Sequence, residues 1–417
     1  MADHSDIAPG IPPPPSAQDR TRQDLGRANK RAVMAEIVLK GPASRTAISQ
    51  ATGLTAASVS RITRELIEAG VITEQGDPET TGRPGRRFIG LNVNAAGGYV
   101  LGIGLNVFQQ AVTLADLQNN RLERRDLSLR NLSQPDVVIE HVIAAAAEMI
   151  AKHVRDPNRL FGGGVAITGA VDPVSGIVRA SPYFGWHDVN LDLAGRLTSA
   201  LGVPFHVENL PNGINLAEVR FGQARAARNT LLVHCALGLG GSLYLDGQLV
   251  RGHQFSAGHI GNLPMEDAAG AMSTLDDLAG GRGILSAMGE TRVGVGSERA
   301  DEVAARLMAV VEQTNAGDAA ATGVMENAGH RLGRALALFA GISHPEMILL
   351  SGPLAQADAY VEACNDSLNR YRPDGGGDMK LVTSGLTNQA AARWLAIGEF
   401  LVERDLNLDN LKMAGAA

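Results

Sequence analysis

Arg61 and Arg64 stand three residues apart, behind Ser58 and Ser60, in the run ASVSRITRE. In a helix, residues three and four apart share a face, so Ala57, Ser60, Arg61 and Arg64 lie together. Small residues at the front of such a face let a helix approach base edges, and Ser58 and Ser60 add hydroxyls. Arg61 and Arg64 reach guanine or phosphate. Further on, Arg83 and Arg86 flank Pro84-Gly85, a rigid turn that holds arginines at its tip, where they suit a narrow minor groove. Arg45 is placed for a phosphate. A second chemistry is suggested by the glycines of 102–104 and 238–241, because Gly-rich turns between strands expose backbone N–H groups.

The first group needs a particular set of elements. Residues 27–40 carry Ala32, Val33, Ile37 and Val38 at helical spacing and stop at Gly41-Pro42. A short helix over 45–52 begins after Ser44, turns Ile48 and Ala51 inward and ends at Gly53. Thr55 caps a third helix over 56–69, with Val59, Ile62 and Leu66 as its apolar stripe and Gly70 as its stop. Val71–Glu74 and Arg86–Ile89 then pair as a two-stranded wing. This predicts a winged helix-turn-helix over 20–92, after a Pro-rich disordered tail over 1–19 that contains Ile11-Pro12-Pro13-Pro14-Pro15.

Charge is divided in the same way. The 417-residue chain has a net charge of −7, which taken alone argues against nucleic acid. Residues 20–90, however, hold twelve Lys/Arg against seven Asp/Glu, whereas residues 91–417 hold 25 against 34. A basic block on an acidic body implies an anionic partner for that block alone. The two cysteines, Cys235 and Cys364, exclude a disulfide framework and a Cys-rich zinc site. No segment reaches the length of a membrane span, and 1–19 lacks the charge and apolar run of a secretory signal, so a cytoplasmic protein is expected.

The body, 93–417, reads as α/β. An apolar Gly-punctuated run over 100–107 is followed by strand-like segments over 111–116 and 122–129, then an Ala-rich helix over 136–154. The pattern returns over 230–249 with an Asp246-Gly247 turn, which predicts two lobes around a cleft. Segment 342–352 reads as a buried strand and 387–403 as a long closing helix.

These segments resemble the ROK family, which unites sugar kinases with repressors of sugar genes. The resemblance runs from about residue 27 to the C-terminus and rests on the Gly82-Arg83-Pro84 tip, on Ser181–Trp186, on Val207-Glu208-Asn209, on Leu245–Gly252 and on Ala257–Asn262. It implies a winged helix-turn-helix followed by a two-lobed ribonuclease H-like, actin-like domain of the sugar-kinase type. An N-terminal winged helix marks the repressor branch.

The resemblance also shows departures. A family aspartate near the Mg·ATP phosphates corresponds to Gly104. The Asn-Asp pair, whose Asp takes the sugar hydroxyl proton, is Asn209-Leu210, and a hydroxyl of the second Gly turn is Leu237. Loss of a general base alone costs about 10²–10⁴-fold in rate, so no catalytic residues and no cofactor are expected. The zinc-bearing members' His is Asn262, and 265–283 has no cysteine, so no metal is expected. The family's sugar contacts fall on Gly169, Tyr183, Asn209, Leu210, His259 and Asn262. Of these, Gly169, Tyr183, Asn209, His259 and Asn262 are the candidate ligand contacts, for a sugar or sugar derivative. His187 and His234 are expected to be structural. The reading is a homodimeric or higher-order repressor of carbohydrate genes on a palindromic operator in double-stranded DNA. Its rivals are a regulator with a vestigial pocket run by a protein partner, and a sugar kinase with a DNA module.

Overall fold

The computed structural model describes residues 17–76, 89–127, 129, 132–225, 227–267, 269–290, 300–372 and 378–413. They form two compact units. One holds the residues through Val93 together with those from Leu401 onward, and the other spans Asn94–Phe400. The chain therefore passes between units twice, and 401–413 groups with the N-terminal unit rather than with the body, where the sequence reading had placed it.

In the N-terminal unit, α1 (Ala17–Lys40), α2 (Arg45–Thr52) and α3 (Ala56–Glu68) precede β1 (Ile72–Gly76) and β2 (Ile89–Val93). Helix α1 starts at Ala17, so residues 17–19 are helical and not part of a disordered tail; residues 1–16 lie outside the described residues. Val33, Ile37, Ile48, Val59, Ile62 and Leu66 are all at most 1% exposed and close the three helices on one core. Ser44 and Thr55 cap α2 and α3 by accepting from the N–H groups of Ala47 and Ser58. Replacing Thr55 by Ala is expected to cost about 1 kcal/mol, read as a lower melting temperature of the full chain. The wing strands pair antiparallel, Ile72 opposite Val93 and Gly76 opposite Ile89. The second strand is described over Ile89–Val93 and so continues past the expected end at 89; residues 86–88 of the expected strand lie outside the described residues. The C-terminal segment packs on this unit: the Arg31 guanidinium donates to the Glu403 carbonyl at 3.2 Å, Arg27 lies 3.5 Å from Asp405, and helix Leu408–Met413 meets α3.

The larger unit repeats one topology. In the first sheet the strand order is Phe205–Asn209, Leu160–Ile167, Tyr99–Leu105, Gln110–Asp116, Arg121–Asp126. In the second it is Lys380–Thr383, Met347–Ser351, Thr230–Cys235, Leu239–Leu245, Gln248–Val250. In both, the central strand is the first in sequence. Two antiparallel strands follow on one side and two parallel strands on the other. Helices fill the parallel crossovers: Pro135–His153 and Leu193–Leu201 in the first lobe, Ala300–Asn315, Ala319–Ser343 and Asp358–Tyr371 in the second. This is the two-lobed ribonuclease H-like arrangement after a winged helix that the sequence leads one to expect.

Two element boundaries differ from expectation. Ile342 lies in the last turn of the helix Ala319–Ser343 and is 84% exposed. His344 takes a left-handed φ of 42° before Pro345, so the strand begins only at Met347. The closing helix is α-helical over Asn388–Ile397 and then widens into a π-helix over Gly398–Glu403, the stretch where the chain leaves the body. Helix Asn388–Ile397 lies close on the first sheet. A Cβ at Gly104 would sit 2.7 Å from Asn388 Cγ, and one at Gly164 would sit 2.0 Å from the Ala392 carbonyl oxygen. Those glycines are required by close approach of strand and helix. No helix among the described residues is long and apolar enough to cross a membrane.

Candidate functional site

The exposed face of α3 carries Ala57, Arg61 and Arg64 at its surface, with Ser58 and Ser60 half-buried beside them. Arg61 donates to Glu65 one turn on, at 2.6 Å, and Ser58 accepts from the Thr55 hydroxyl at 3.0 Å. Arg64 has no ion-pair partner among the described residues. Arg45 differs from expectation. Its Nε donates to Thr63 Oγ1 at 3.0 Å and its Nη2 to Glu74 at 2.7 Å, and Thr63 is fully buried. Arg45 therefore ties α2 to α3 and to β1, and a phosphate contact would have to draw it off Glu74. Arg83 and Arg86 lie outside the described residues.

The larger unit contains a cleft of about 430 Å³ between its two sheets' glycine turns. Gly169, Tyr183, Asn209, His259 and Asn262, predicted from four separate segments, all line it. Asn209 is positioned by the start of helix Leu210–Phe221. Its Nδ2 donates to the Gly169 carbonyl at 2.5 Å, and its N–H donates to Glu208 at 2.9 Å. Glu208, 1% exposed, also accepts from Asn212 at 3.2 Å and from Arg251 at 2.8 Å. Tyr183 reaches across the cleft: its hydroxyl donates to Asp276 at 3.1 Å and occupies the space a Cβ at Gly238 would need. Burial and the neighbouring carboxylate raise the phenol pKa well above its ordinary value, so it stays a donor.

Among the lining residues that sequence reasoning missed are Asp276, Arg282, Phe108 and Phe255. Asp276 Oδ1 accepts from the Leu239 N–H at 2.6 Å and shares its other oxygen with Tyr183 and, at 3.8 Å, Arg282. Burial raises the Asp276 pKa despite these donors. Its only signal in sequence was the acidic pair after Thr274, which reads equally as a helix start. His234, expected to be structural, also faces the cleft while its Nδ1 meets Ser351 Oγ at 3.1 Å. His187 is exposed and outside the lining.

Burial lowers the His234 pKa from 6.5 to about 4. The folded state thus holds a neutral imidazole while the unfolded chain binds a proton below pH 6.5. The stability this gives is complete above pH 6.5 and is lost as pH falls through 4. His234→Gln is expected to remove roughly 2 kcal/mol of the stability loss over that window. Melting curves at pH 7, 5.5 and 4.5 check this, and parallel pH dependence in the two proteins would refute it.

The departures from kinase chemistry have physical counterparts. Leu210 is fully buried and packs with Ala166, Ile214 and Ala217, so it is core and not a cleft contact. Gly104 abuts Asn388, leaving no room for a side chain. Leu237 lines the cleft, and Cys235 is fully buried in its strand. No group of three metal-ligating side chains occurs among the described residues.

The comparisons agree with this architecture. Residues 27–73 match a winged helix-turn-helix DNA-binding domain. The DNA-binding transcriptional dual regulator NagC of Escherichia coli K12 is 27% identical over 389 residues, covering 90% of this chain and 92% of its own. The xylose repressor of Bacillus spizizenii is 24% identical, covering 92% and 97%. Among solved structures, a ROK family transcriptional regulator described as a homologue of the E. coli Mlc protein superposes with a TM-score of 0.71 at 24% identity, over 94% of this chain and 98% of that one. A ROK family glucokinase from Streptomyces griseus, solved with glucose and AMPPNP, gives 0.57 at 19%, over 72% and 98%. The ROK family signature covers residues 100–398, most of the chain, and on that ground, with the repeated fold and its glycine turns, the chain belongs to the ROK family.

Proposed function

We propose that this chain is a sequence-specific DNA-binding transcriptional regulator, a repressor of carbohydrate-related genes whose occupancy of DNA is set by a small effector in the cleft. The observation that carries it is the exposed arginine face of α3 on a capped winged helix. The relatives named as N-acetylglucosamine and xylose repressors supply the class of genes. The protein acts as a homodimer, which presents two α3 helices to half-sites about one helical turn apart on a palindromic operator. Arg61, Arg64, Ser58 and Ser60 enter the major groove, and Arg83 and Arg86 serve the wing.

Gly169, Tyr183, Asn209, His259 and Asn262 bind the effector, whose hydroxyls match their amide, imidazole and phenol groups. Control requires that the effector bind one closure state of the lobes better than the other. The chain offers two covalent routes for that change, at Val93–Asn94 and at Phe400–Leu401. No catalysis is assigned, because the residue at the general-base position, Leu210, is a core side chain.

Selection of bound DNA from a random library, with the full chain, tests the reading. A palindrome with two half-sites about 10 base pairs apart is expected. Absence of any enriched sequence overturns it, and measurable turnover in a coupled ATPase assay across hexoses overturns the non-enzymatic part.

A further inference from the structure

The cleft has two unlike ends. Around Asn209, His259 and Asn262 it offers amide and imidazole groups. At the two glycine turns its walls are apolar: Val107 and Phe108 beside the first, Leu237 and Leu239 at the second. Aromatics are only 4% of this chain, yet Phe108, Tyr183 and Phe255 all line this one cavity, each partly exposed. An exposed ring in a cavity is apolar surface left for something to cover.

Phe255 is held there by an unusual backbone. Gln254 and Phe255 are consecutive non-glycine residues at φ of 52° and 60°, between Gly252 at 68° and Gly258 at 97°. Two successive L-residues in the left-handed region cost about 1–2 kcal/mol each. Such strain persists only where the surrounding structure enforces it, and it concentrates at ligand clamps. Both ends of the segment are fixed. Arg251 is bonded to the buried Glu208, and the Gly258 carbonyl accepts from the Gly241 N–H at 2.7 Å.

The charges of the lining point the same way. Among the described residues it carries one cation, Arg282, and one anion, Asp276, 3.8 Å apart, with Asp277 also 3.4 Å from Arg282. The guanidinium keeps one buried N–H, at Nε, without a partner among the described residues, but its charge is offset by Asp276 and Asp277, so the cavity offers an ionised phosphate or carboxylate no net positive charge.

Resting on the effector reading above, we infer that the ligand is uncharged and bipartite. A hydroxyl-bearing sugar head binds at Asn209, His259 and Asn262, and a flat apolar group, as in an aryl glycoside, is clamped by Phe108, Tyr183 and Phe255. Burial of such a group against three rings makes the aryl glycoside bind about tenfold or more tighter than its parent sugar.

The test is titration calorimetry on the full chain with phenyl glycosides of glucose, galactose, xylose and N-acetylglucosamine, beside the free sugars and their phosphates. One phenyl glycoside exceeding its parent sugar at least tenfold, with the advantage lost in both Phe255→Ala and Phe108→Ala while their melting temperatures stay near wild type, supports the inference. A free sugar or sugar phosphate binding as tightly as any phenyl glycoside, and losing its affinity in Asn209→Ala, overturns this ligand class and leaves the effector reading standing. Failure of all three classes to bind overturns both.

Discussion

Alanine at Arg64 is expected to weaken binding to the selected operator by about 10- to 100-fold, or ~1–3 kcal/mol. Arg64 is exposed on the α3 face and is not held in an ion pair among the described residues, so its guanidinium reaches DNA without breaking a bond first. Arg61 lies on the same face but is bonded to Glu65. Exposed i,i+4 pairs are worth about 0.3–0.5 kcal/mol, which DNA contact must recover, so Arg61→Ala costs less. Salt dependence identifies the contact. If Arg64 grips a phosphate, the loss is uniform across sequences and the slope of log K against log salt falls by about 1. If it reads a base, preference at one half-site position relaxes and the slope is nearly unchanged. Glu65→Ala frees Arg61 and strengthens binding to unrelated DNA. Wild-type affinity in Arg64→Ala at two salt concentrations would remove α3 from the interface.

What could be read from sequence divides by range. The winged helix was legible because its signals are local: Ser44, Thr55, Gly53 and Gly70 stop and start helices, and Val59, Ile62 and Leu66 repeat at helical spacing. Five residues named through motif resemblance, scattered from 169 to 262, line one cavity. Arg45 went otherwise because its partners, Thr63 and Glu74, are 18 and 29 residues away and neither is marked by spacing. Asp276 and Arg282 were missed for the same reason, since only folding brings Thr274–Arg282 beside Tyr183. Gly104 shows the converse. Its identity reads as a lost catalytic aspartate, but what requires a glycine there is the side chain of Asn388, nearly 300 residues later in the chain. The end of the chain was also opaque, because nothing in 401–413 announces that the Asp405 carboxylate and the Glu403 carbonyl meet Arg27 and Arg31.

The largest effect on stability is expected from Arg251→Ala, about 3 kcal/mol. Glu208 is 1% exposed, and its two oxygens take three bonds: Asn209 N–H and Asn212 Nδ2 on one, Arg251 Nη2 on the other. The two neutral donors cannot offset a carboxylate shut away from water, so removing the guanidinium leaves a buried charge half-satisfied. The loss is at the lower end of what breaking a buried pair costs, because those two bonds remain. Arg251→Lys keeps the charge and recovers part of it, without the planar fork. Adding Glu208→Gln to Arg251→Ala removes the stranded charge and should recover about half the loss, a coupling a double-mutant cycle measures directly. Glu208 also fixes the Asn209 backbone, and Arg251 anchors the segment that carries Phe255, so the single variant should lose ligand-induced stabilisation as well. The argument fails if Arg251→Ala melts with the wild type, or if the double variant is no more stable than Arg251→Ala. Either result would mean that water, rather than arginine, satisfies Glu208 Oε2 at the edge of the cleft.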